Sequence, residues 1–318
     1  MFKFRAIWIG VRSTFNSTPI GPTKTPEFLF CDQFLVLSYS QGMNFIQKTN
    51  GNLKSKVKRL GQNFAKFTGH NIIKSSKYDL LVDLDFFTIW ERWSQIDVDH
   101  NLFDEIIKSF QNSNSQLQQD LWVLHTYEKM YQTRCNGFFV EFGAGDGRFL
   151  SNTYLLETMY DWNGILVEPS KQFSEQIRKN RTASIDSRCV FSSSKETVNF
   201  IEVDVGEFSG IQSHHNLQKD SEYYRNFRTY EVETICLNDL LLEYNAPKKI
   251  NYLSIDTEGS EFEILRNFPF ADWEIEIITI EHNFSENEKL LDELMKKNGY
   301  LRKLPKTSYW DAWYVLQV

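Results

Sequence analysis

The chain has 318 residues, of which 41% are hydrophobic and 15% aromatic, so it can bury a core large enough for an α/β domain and an extension. Its 15 glycines and 7 prolines exclude collagen-like and low-complexity classes of protein. The formal net charge of -7 provides no overall attraction to phosphate backbones, so no nucleic-acid partner is expected.

The cysteines and the apolar runs indicate a cytoplasmic protein. No CxxC pair or histidine at ligand spacing accompanies the four cysteines, which are Cys31, Cys135, Cys189 and Cys236. Neither a zinc site nor a disulfide framework is therefore predicted, and a reducing compartment is expected. No apolar run approaches the roughly 20 residues that a membrane span needs.

Residues 1–114 are predicted to form a partly helical N-terminal extension, whose function the sequence does not indicate. Within it, residues 54–67 ("KSKVKRLGQNFAKF") carry apolar side chains at helical spacing among lysines. We expect a helix that packs on the main domain with a solvated basic face; the alternative is peripheral contact with an anionic membrane. Two further helices are predicted over 86–93 and 102–110. The sequence leaves open whether Met1 or Met43 is the natural start.

Residues 115–318 are predicted to form the main domain, because short apolar strands there alternate with amphipathic helices. This alternation is typical of a doubly wound, mostly parallel α/β sheet. The predicted strands are "GFFVEFGAG", "NGILVEPS", "ASIDSRCVF", "ETVNFIEVDV", "TYEVETICL", "INYLSIDTEG", "EIEIITIEHN" and "DAWYVLQV". The predicted helices are "FLSNTYLLETMYD", "KQFSEQIRKN", "NDLLLEYNA", "SEFEILRNF" and "SENEKLLDELMKKNG".

A glycine-rich turn follows the first of these strands. Gly143, Gly145 and Gly147 let the backbone bend tightly and let a ligand lie against it, although a purely structural turn would also recruit them. Glu168 ends the second strand about 20 residues later, where a carboxylate can accept both hydroxyls of an adenosine ribose. That geometry serves dinucleotides as well as S-adenosylmethionine.

The residues around the turn favour the methyl donor over NAD. Arg148 stands where the dinucleotide fingerprint requires glycine. Glu141 and Asp146 flank the turn, where they would repel a pyrophosphate but attract an ammonium and a sulfonium. An NAD-type oxidoreductase on the same fold remains the alternative.

Several segments together resemble the FkbM family of S-adenosylmethionine-dependent methyltransferases. They are, in order, "SQLQQD", "GFFVEFGAGDGRFLSNTYLLE", "WNGILVEPS", "TICLNDLL", "YLSIDTEGSEFEIL" and "IEHN". The resemblance covers residues 115–318 and implies a Rossmann-like sheet of the class I methyltransferase type with a final antiparallel strand. It also implies methyl transfer to oxygen on a sugar, a glycan or another small-molecule acceptor.

The resemblance further implies which residues contact S-adenosylmethionine. Glu141, Gly143 and Gly145 would hold its methionine portion, with Asp146 beside them, and Glu168 and Pro169 its ribose. Asn152 and Thr153 would contact it from the start of the first helix, unless they only cap that helix. Gln119, together with Gln116 and Asp120, would lie over the donor's carboxylate.

The catalytic residues are expected at the ends of two later strands. Asp256 and Glu258 follow one strand on the same side and would face the transferred methyl. His282 ends the next strand and is the predicted base, because its ordinary pKa lies near neutrality; Asp256 or Glu258 is the alternative base. Asp256, Glu281 and Asn283, with Glu258, offer hard oxygen ligands that could instead bind Mg²⁺.

A third reading is a non-catalytic module that keeps the fold and binds a partner or membrane through the extension and the 206–228 loop. That loop is otherwise expected to shape the acceptor pocket. Nothing in the sequence identifies the acceptor.

Overall fold

The computed structural model describes residues 89, 92–93, 100–204, 206–214 and 226–317. The helix predicted over 54–67 lies outside the described residues, as does most of the helix predicted over 86–93. Of the latter, Ile89, Arg92 and Trp93 are helical.

The described residues form eleven strands. They are β1 (Phe138–Phe142), β2 (Asn163–Val167), β3 (Ser184–Asp186), β4 (Cys189–Phe191), β5 (Thr197–Val203), β6 (Gly210–Ile211), β7 (Phe227–Cys236), β8 (Lys249–Ile255), β9 (Glu274–Glu281), β10 (Tyr300–Lys303) and β11 (Asp311–Leu316).

Seven strands make the main sheet, in the order β10-β11-β9-β8-β1-β2-β3. The neighbours from β9 to β3 are parallel, whereas β11 is antiparallel to both β9 and β10. The central strands β1 and β8 are apolar and almost wholly buried, as expected of a parallel sheet covered on both faces. The predicted mostly parallel sheet with a reversed strand near its end is confirmed.

Seven α-helices have described bounds. They are α1 (His100–Ser109), α2 (Gln119–Tyr131), α3 (Tyr154–Tyr160), α4 (Ser174–Asn180), α5 (Leu237–Glu243), α6 (Glu261–Leu265) and α7 (Asn287–Lys297). Apolar residues of α1 to α4 pack in one buried cluster and those of α5 to α7 in another. Alternate residues of β1 belong to the two clusters, Phe139 to the first and Val140 to the second. Helices therefore cover both faces, and the doubly wound prediction is confirmed. Within the described residues, no helix combines the length and apolar character needed to cross a lipid bilayer.

A second, smaller sheet has the order β4-β7-β5-β6 and stands beside the carboxyl end of the main sheet. The sequence predicted one strand over "ASIDSRCVF", but the structure divides it between the two sheets as β3 and β4. The division occurs because the carboxylate of Asp186 accepts hydrogen bonds from the backbone N–H of Arg188 at 2.8 Å and from its guanidinium. A side chain that bonds the backbone two residues on forms a local turn, which ends β3.

Helix α1 lies before the boundary predicted at residue 115, yet it shares a core with the main domain. Leu102 and Ile106 are buried in the same apolar cluster as α2 and Trp313 of β11. The domain boundary at residue 115 stays a prediction. An extension that shares no core with the main domain would have to end before α1.

The turn after β1 depends on the absence of a side chain at Gly143. A Cβ there would lie 1.9 Å from the backbone oxygen of Asp256, and the residue has a φ of +73°. Gly299 also has a positive φ, +85°, but a Cβ there would meet nothing closer than 3.7 Å. A side chain at Gly143 would therefore cause both backbone strain and a steric clash, whereas a side chain at Gly299 would cause backbone strain alone.

We predict that Gly143→Ala lowers the free energy of unfolding by at least about 3 kcal/mol, because the clash adds to the strain. Gly299→Ala, the matched control, should cost about 1 kcal/mol from strain alone. Urea denaturation of both variants measures the difference. Equal losses would show that the close approach of Gly143 to Asp256 is not a structural constraint.

Candidate functional site

A cleft of about 890 Å³, part of it open to solvent, lies at the carboxyl ends of β1, β2 and β8. This is the edge of a doubly wound sheet where ligands bind. Seven residues predicted to contact the donor line it: Gln116, Gln119, Gly143, Gly145, Asn152, Glu168 and Pro169. Asp256 and Glu258, predicted to face the methyl group, line the same cleft.

Glu168 is fixed in the cleft wall by two backbone groups. Its carboxylate accepts the N–H of Gly145 and the N–H of Ser170, each at 2.7 Å. The residue at the end of β2 thereby holds the glycine turn that follows β1. A carboxylate has about four acceptor positions, so these two bonds leave it able to accept ribose hydroxyls as well.

Glu141 does not line the cleft, which differs from the prediction that it holds the methionine portion of the donor. Its buried carboxylate accepts hydrogen bonds from the Ser151 hydroxyl at 2.9 Å, the Asn152 N–H at 2.6 Å and the Thr153 hydroxyl at 2.6 Å. These bonds tie β1 to the start of α3. Thr153, also predicted to contact the donor, is fully buried in this network and does not line the cleft.

Asp146 serves the turn itself. Its carboxylate accepts the backbone N–H groups of Arg148 at 2.9 Å and Phe149 at 2.7 Å, an arrangement in which an aspartate closes its own turn. Asp146 is not part of the cleft lining, so its predicted contact with the donor lacks support from the structure.

Arg181 supports the glycine turn from behind the cleft, a role that the sequence did not indicate. Its guanidinium donates to Glu157 at 2.7 Å and to the carbonyl of Gly147 at 3.0 Å, and it lies 3.5 Å from Glu141. Its side chain is wholly buried. Arg181 therefore joins α3, the glycine turn and the end of α4. No pattern in "RKNRTAS" distinguishes this arginine from its solvated neighbours.

Gln119 is held from both sides. Its amide oxygen accepts the N–H of Leu117 at 2.8 Å, and its amide nitrogen donates to Asp311 at 2.7 Å. Gln116 lines the cleft beside it. Asp120 does not, because its carboxylate accepts the Ser113 hydroxyl at 2.6 Å and backbone N–H groups in the buried start of α2.

The small sheet supplies an apolar wall opposite the glycine turn. Its contributing residues are Cys189, Val190, Phe200 and Ile211, and Phe173 joins them from the segment before α4. An adenine ring can pack on such a surface. Phe191 at the end of β4 is not part of the lining and instead packs edge-on against His214, with ring centres 5.0 Å apart.

Three carboxylates converge where β8 and β9 end. Ligand oxygens of Asp256, Glu258 and Glu281 all lie within 4.8 Å of one another. Burial, with repulsion from Asp311 and Glu261, raises the pKa of Asp256 to about 8, although a hydrogen bond with Glu281 opposes the shift. Burial, with repulsion from Asp256, raises the pKa values of Glu258 and Glu281 well above the usual range. Glu258 also has a φ of +58°, a conformation unusual for a residue with a side chain.

His282 is placed differently from the prediction. Its side chain is fully buried beneath α7 and does not line the cleft. Its Nδ1 accepts the backbone N–H of Phe284 at 3.0 Å, and its Nε2 lies 3.3 Å from Arg302 and 3.7 Å from Glu288. Burial lowers the pKa of His282. The imidazole thus stabilises the packing of α7, β10 and the end of β9, and its predicted role as base lacks support.

Asn283 is exposed and does not belong to the group formed by the three carboxylates. Of the cation ligands that the sequence offered, Asp256, Glu258 and Glu281 therefore lie together and Asn283 does not. The reason is local: Asn283 has a φ of +47°, so the chain turns away from the sheet immediately after β9.

We predict that Arg181→Lys lowers the free energy of unfolding by about 2 kcal/mol or more, because an ammonium cannot reproduce the branched set of buried charged hydrogen bonds. Arg178→Lys is the control, since Arg178 is exposed on α4 and should change stability by less than about 0.5 kcal/mol. Thermal and urea denaturation measure both. A neutral Arg181→Lys would contradict the bridging role.

The raised pKa of Asp311 predicts that the stability of the protein changes with pH. Burial, with repulsion from Glu261, raises its pKa to about 6, although Gln119, Trp313 and Arg92 oppose the shift. Because the folded-state pKa exceeds the unfolded value, protonation of Asp311 favours the folded state. Its contribution to stability is full below about pH 4 and is lost as the pH rises through about 6.

In chelator-treated protein, Asp311→Asn should therefore flatten the loss of stability between pH 4 and pH 7, and the variant should gain up to about 2 kcal/mol relative to wild type across that interval. Urea denaturation at a series of pH values provides the measurement. Parallel pH profiles for the two proteins would contradict the prediction.

Comparison with known proteins identifies the domain. The model of the Methyltransferase FkbM domain matches residues 141–302, which is just over half of the chain. A search of curated proteins found no match to the chain. The matched region runs from the end of β1 through β10 and so includes the glycine turn, Glu168 and the carboxylates at the ends of β8 and β9. The chain belongs to the FkbM methyltransferase family and is an S-adenosylmethionine-dependent methyltransferase.

Proposed function

We propose that the protein transfers a methyl group from S-adenosylmethionine to a hydroxyl of a sugar, a glycan or another small-molecule acceptor. The observation that carries this proposal is the convergence of two features in one cleft. The glycine turn with Glu168 lies on one side, and the carboxylates Asp256 and Glu258 lie on another.

The charges of the cleft suit the donor. S-adenosylmethionine carries an ammonium and a sulfonium, and partly buried carboxylates attract such groups strongly because water screens them poorly. Glu168 is positioned to accept the ribose hydroxyls, and the apolar wall of Cys189, Val190 and Ile211 is suited to the adenine. Gln119, whose amide is fixed by Asp311, would meet the methionine end of the donor.

Methyl transfer to an alcohol breaks the bond between the sulfonium sulfur and the methyl carbon and forms a bond from the acceptor oxygen to that carbon. The acceptor must also lose its proton. We assign this proton to Asp256 or Glu258, because both line the cleft and His282 does not. A carboxylate whose pKa is raised to about 8, as for Asp256, is a more effective proton acceptor than an ordinary aspartate when it is ionised.

The family match argues against the two alternatives that the sequence left open. An NAD-type oxidoreductase would require a phosphate-binding turn with glycine at position 148. Arg148 stands there instead; it is exposed, lies over the ring of Tyr154 and is not part of the cleft lining. A non-catalytic module would have no need of the carboxylates that face the cleft.

Other parts of the proposal concern partners, location and a cation. Mg²⁺ is included as a second cofactor that would act on the acceptor hydroxyl.

Nucleic acid is not expected as a partner, and membrane contact through 54–67 concerns residues outside the described part. A cytoplasmic location accords with Cys135, Cys189 and Cys236, the described cysteines, all of which are free thiols.

The test combines donor binding with turnover. S-adenosylmethionine should release or absorb heat on titration into the wild-type protein, and methylation should be detected as S-adenosylhomocysteine formed with a panel of glycosides and other alcohols. With an active acceptor, Asp256→Asn or Glu258→Gln should lower kcat by about 100-fold or more, the usual contribution of a general base. His282→Gln, the control, should lower it less than about tenfold.

Absence of heat on adding the donor would overturn the proposal. If donor binding is retained but His282→Gln is as damaging to kcat as Glu258→Gln, the assignment of the base to the carboxylates is wrong. Circular dichroism of each variant separates a loss of fold from a loss of catalysis.

A further inference from the structure

We propose that Asp256, Glu258 and Glu281 form a divalent-cation site in the wall of the cleft, selective for hard cations such as Mg²⁺, Mn²⁺ or Ca²⁺. Of the four residues that the sequence offered as ligands, this set lacks only Asn283. Binding of the cation does not depend on which acceptor the enzyme uses.

The separation of the three side chains matches a single ion. One oxygen from each residue lies within 4.8 Å of the others. Hard divalent cations bind carboxylate oxygens at about 2.1 Å for Mg²⁺ and up to about 2.5 Å for Ca²⁺, so oxygens on opposite sides of one ion lie about 4.2 to 5 Å apart. The three carboxylates can therefore share an ion with small side-chain adjustments.

A second, independent observation concerns Glu281. Glu281 is only 8% exposed, and its Oε2 receives no hydrogen bond from an N–H or O–H donor of the described residues. The carboxyl group of Asp256 lies within hydrogen-bonding reach of Glu281. A buried carboxylate oxygen without a partner is costly, and native proteins rarely contain one unless a ligand or ion completes it. This oxygen belongs to the residue that, with Asp256 and Glu258, forms the convergent group.

Other carboxylates near the cleft provide the contrast. Glu141 accepts three hydrogen bonds and lies near Arg181, and Glu168 accepts two backbone N–H groups. Glu261 accepts the N–H groups of Thr257 at 3.0 Å and Gly259 at 2.9 Å. In the part of the chain that the structure describes, no lysine, arginine or histidine forms a salt bridge with Asp256, Glu258 or Glu281. The cation would supply the compensation that Arg181 supplies to Glu141 and that N–H donors supply to Glu168 and Glu261.

The position of the site suggests its use. Asp256 and Glu258 line the cleft, so an ion held between them and Glu281 could also contact a hydroxyl bound there. A divalent cation lowers the pKa of a hydroxyl that it contacts and orients it for attack. This use rests on the proposed methyl transfer to oxygen, whereas the binding of the ion does not.

The test is a titration of chelator-treated protein with Mn²⁺, in which free Mn²⁺ is followed by electron paramagnetic resonance. Wild-type protein should bind one ion, and Glu281→Gln should weaken the affinity at least tenfold. Glu274→Gln is the matched control, because Glu274 is an exposed carboxylate at the opposite end of the same strand. Its affinity for Mn²⁺ should stay within about twofold of wild type. Mg²⁺ and Ca²⁺ should displace the bound Mn²⁺.

Glu258→Gln serves as a second variant if Glu281→Gln fails to fold, and it too should weaken binding at least tenfold. The cation site is overturned if wild-type protein binds no Mn²⁺, or if all three variants bind it equally. A parallel titration with S-adenosylmethionine in the presence of EDTA tests the proposed function separately, so that failure to bind Mn²⁺ with donor binding intact removes only the cation site.

Discussion

The close approach of Gly143 to the backbone of Asp256 is the constraint on which the site depends. Strands β1 and β8 are parallel neighbours, and the loops that follow them leave the sheet in contact. Because Gly143 has no side chain, the turn for the donor and the loop that carries Asp256 and Glu258 can border one cleft. A side chain at residue 143 would push apart the two halves of the proposed reaction centre.

The second constraint is electrostatic. Burial and repulsion from neighbouring carboxylates raise the pKa values of Asp256, Glu258, Glu281 and nearby Asp311. Without a positive partner, such a group retains protons that ordinary carboxylates would release. Either the sulfonium of the donor or a divalent cation would favour the ionised forms. The cleft is thus suited to positively charged ligands, and donor and cation would be coupled through the same field.

Much of the fold could be predicted because its periodicity is simple. Strands such as β1 and β8 are short apolar runs, and helices such as α7 have one apolar face. Helix α2 was missed because its sides are buried almost all round, including Gln119, Asp120 and His125, so it has no contrast between apolar and polar faces. The break between β3 and β4 was missed because it depends on one side-chain hydrogen bond from Asp186.

The site was predictable where function follows from backbone position and less so where it follows from side-chain direction. Glycines and Glu168 at the ends of β1 and β2 must lie at the same sheet edge, and they line the cleft. His282 also follows a strand, but the chain turns immediately after β9, and its ring faces α7 and Arg302. A residue that follows a strand lies at the edge of the sheet that borders the cleft. Its position in the sequence does not determine whether its side chain faces the cleft or the protein interior.

Glu141 and Glu281 show that the sequence also does not reveal which buried acids have their charge compensated within the protein. Both are buried acids near the carboxyl end of a parallel strand, and sequence alone treats them alike. Glu141 is saturated by the Ser151 and Thr153 hydroxyls, a backbone N–H and the nearby Arg181, so its charge is compensated within the protein. Glu281 keeps an oxygen without a partner among the described residues. Since burying an uncompensated carboxylate is unfavourable, Glu281 must either keep a proton or face a cationic ligand. The distinction between a structural and a functional acid therefore lies in which hydrogen-bond donors reach it, and those donors come from segments far apart in the sequence.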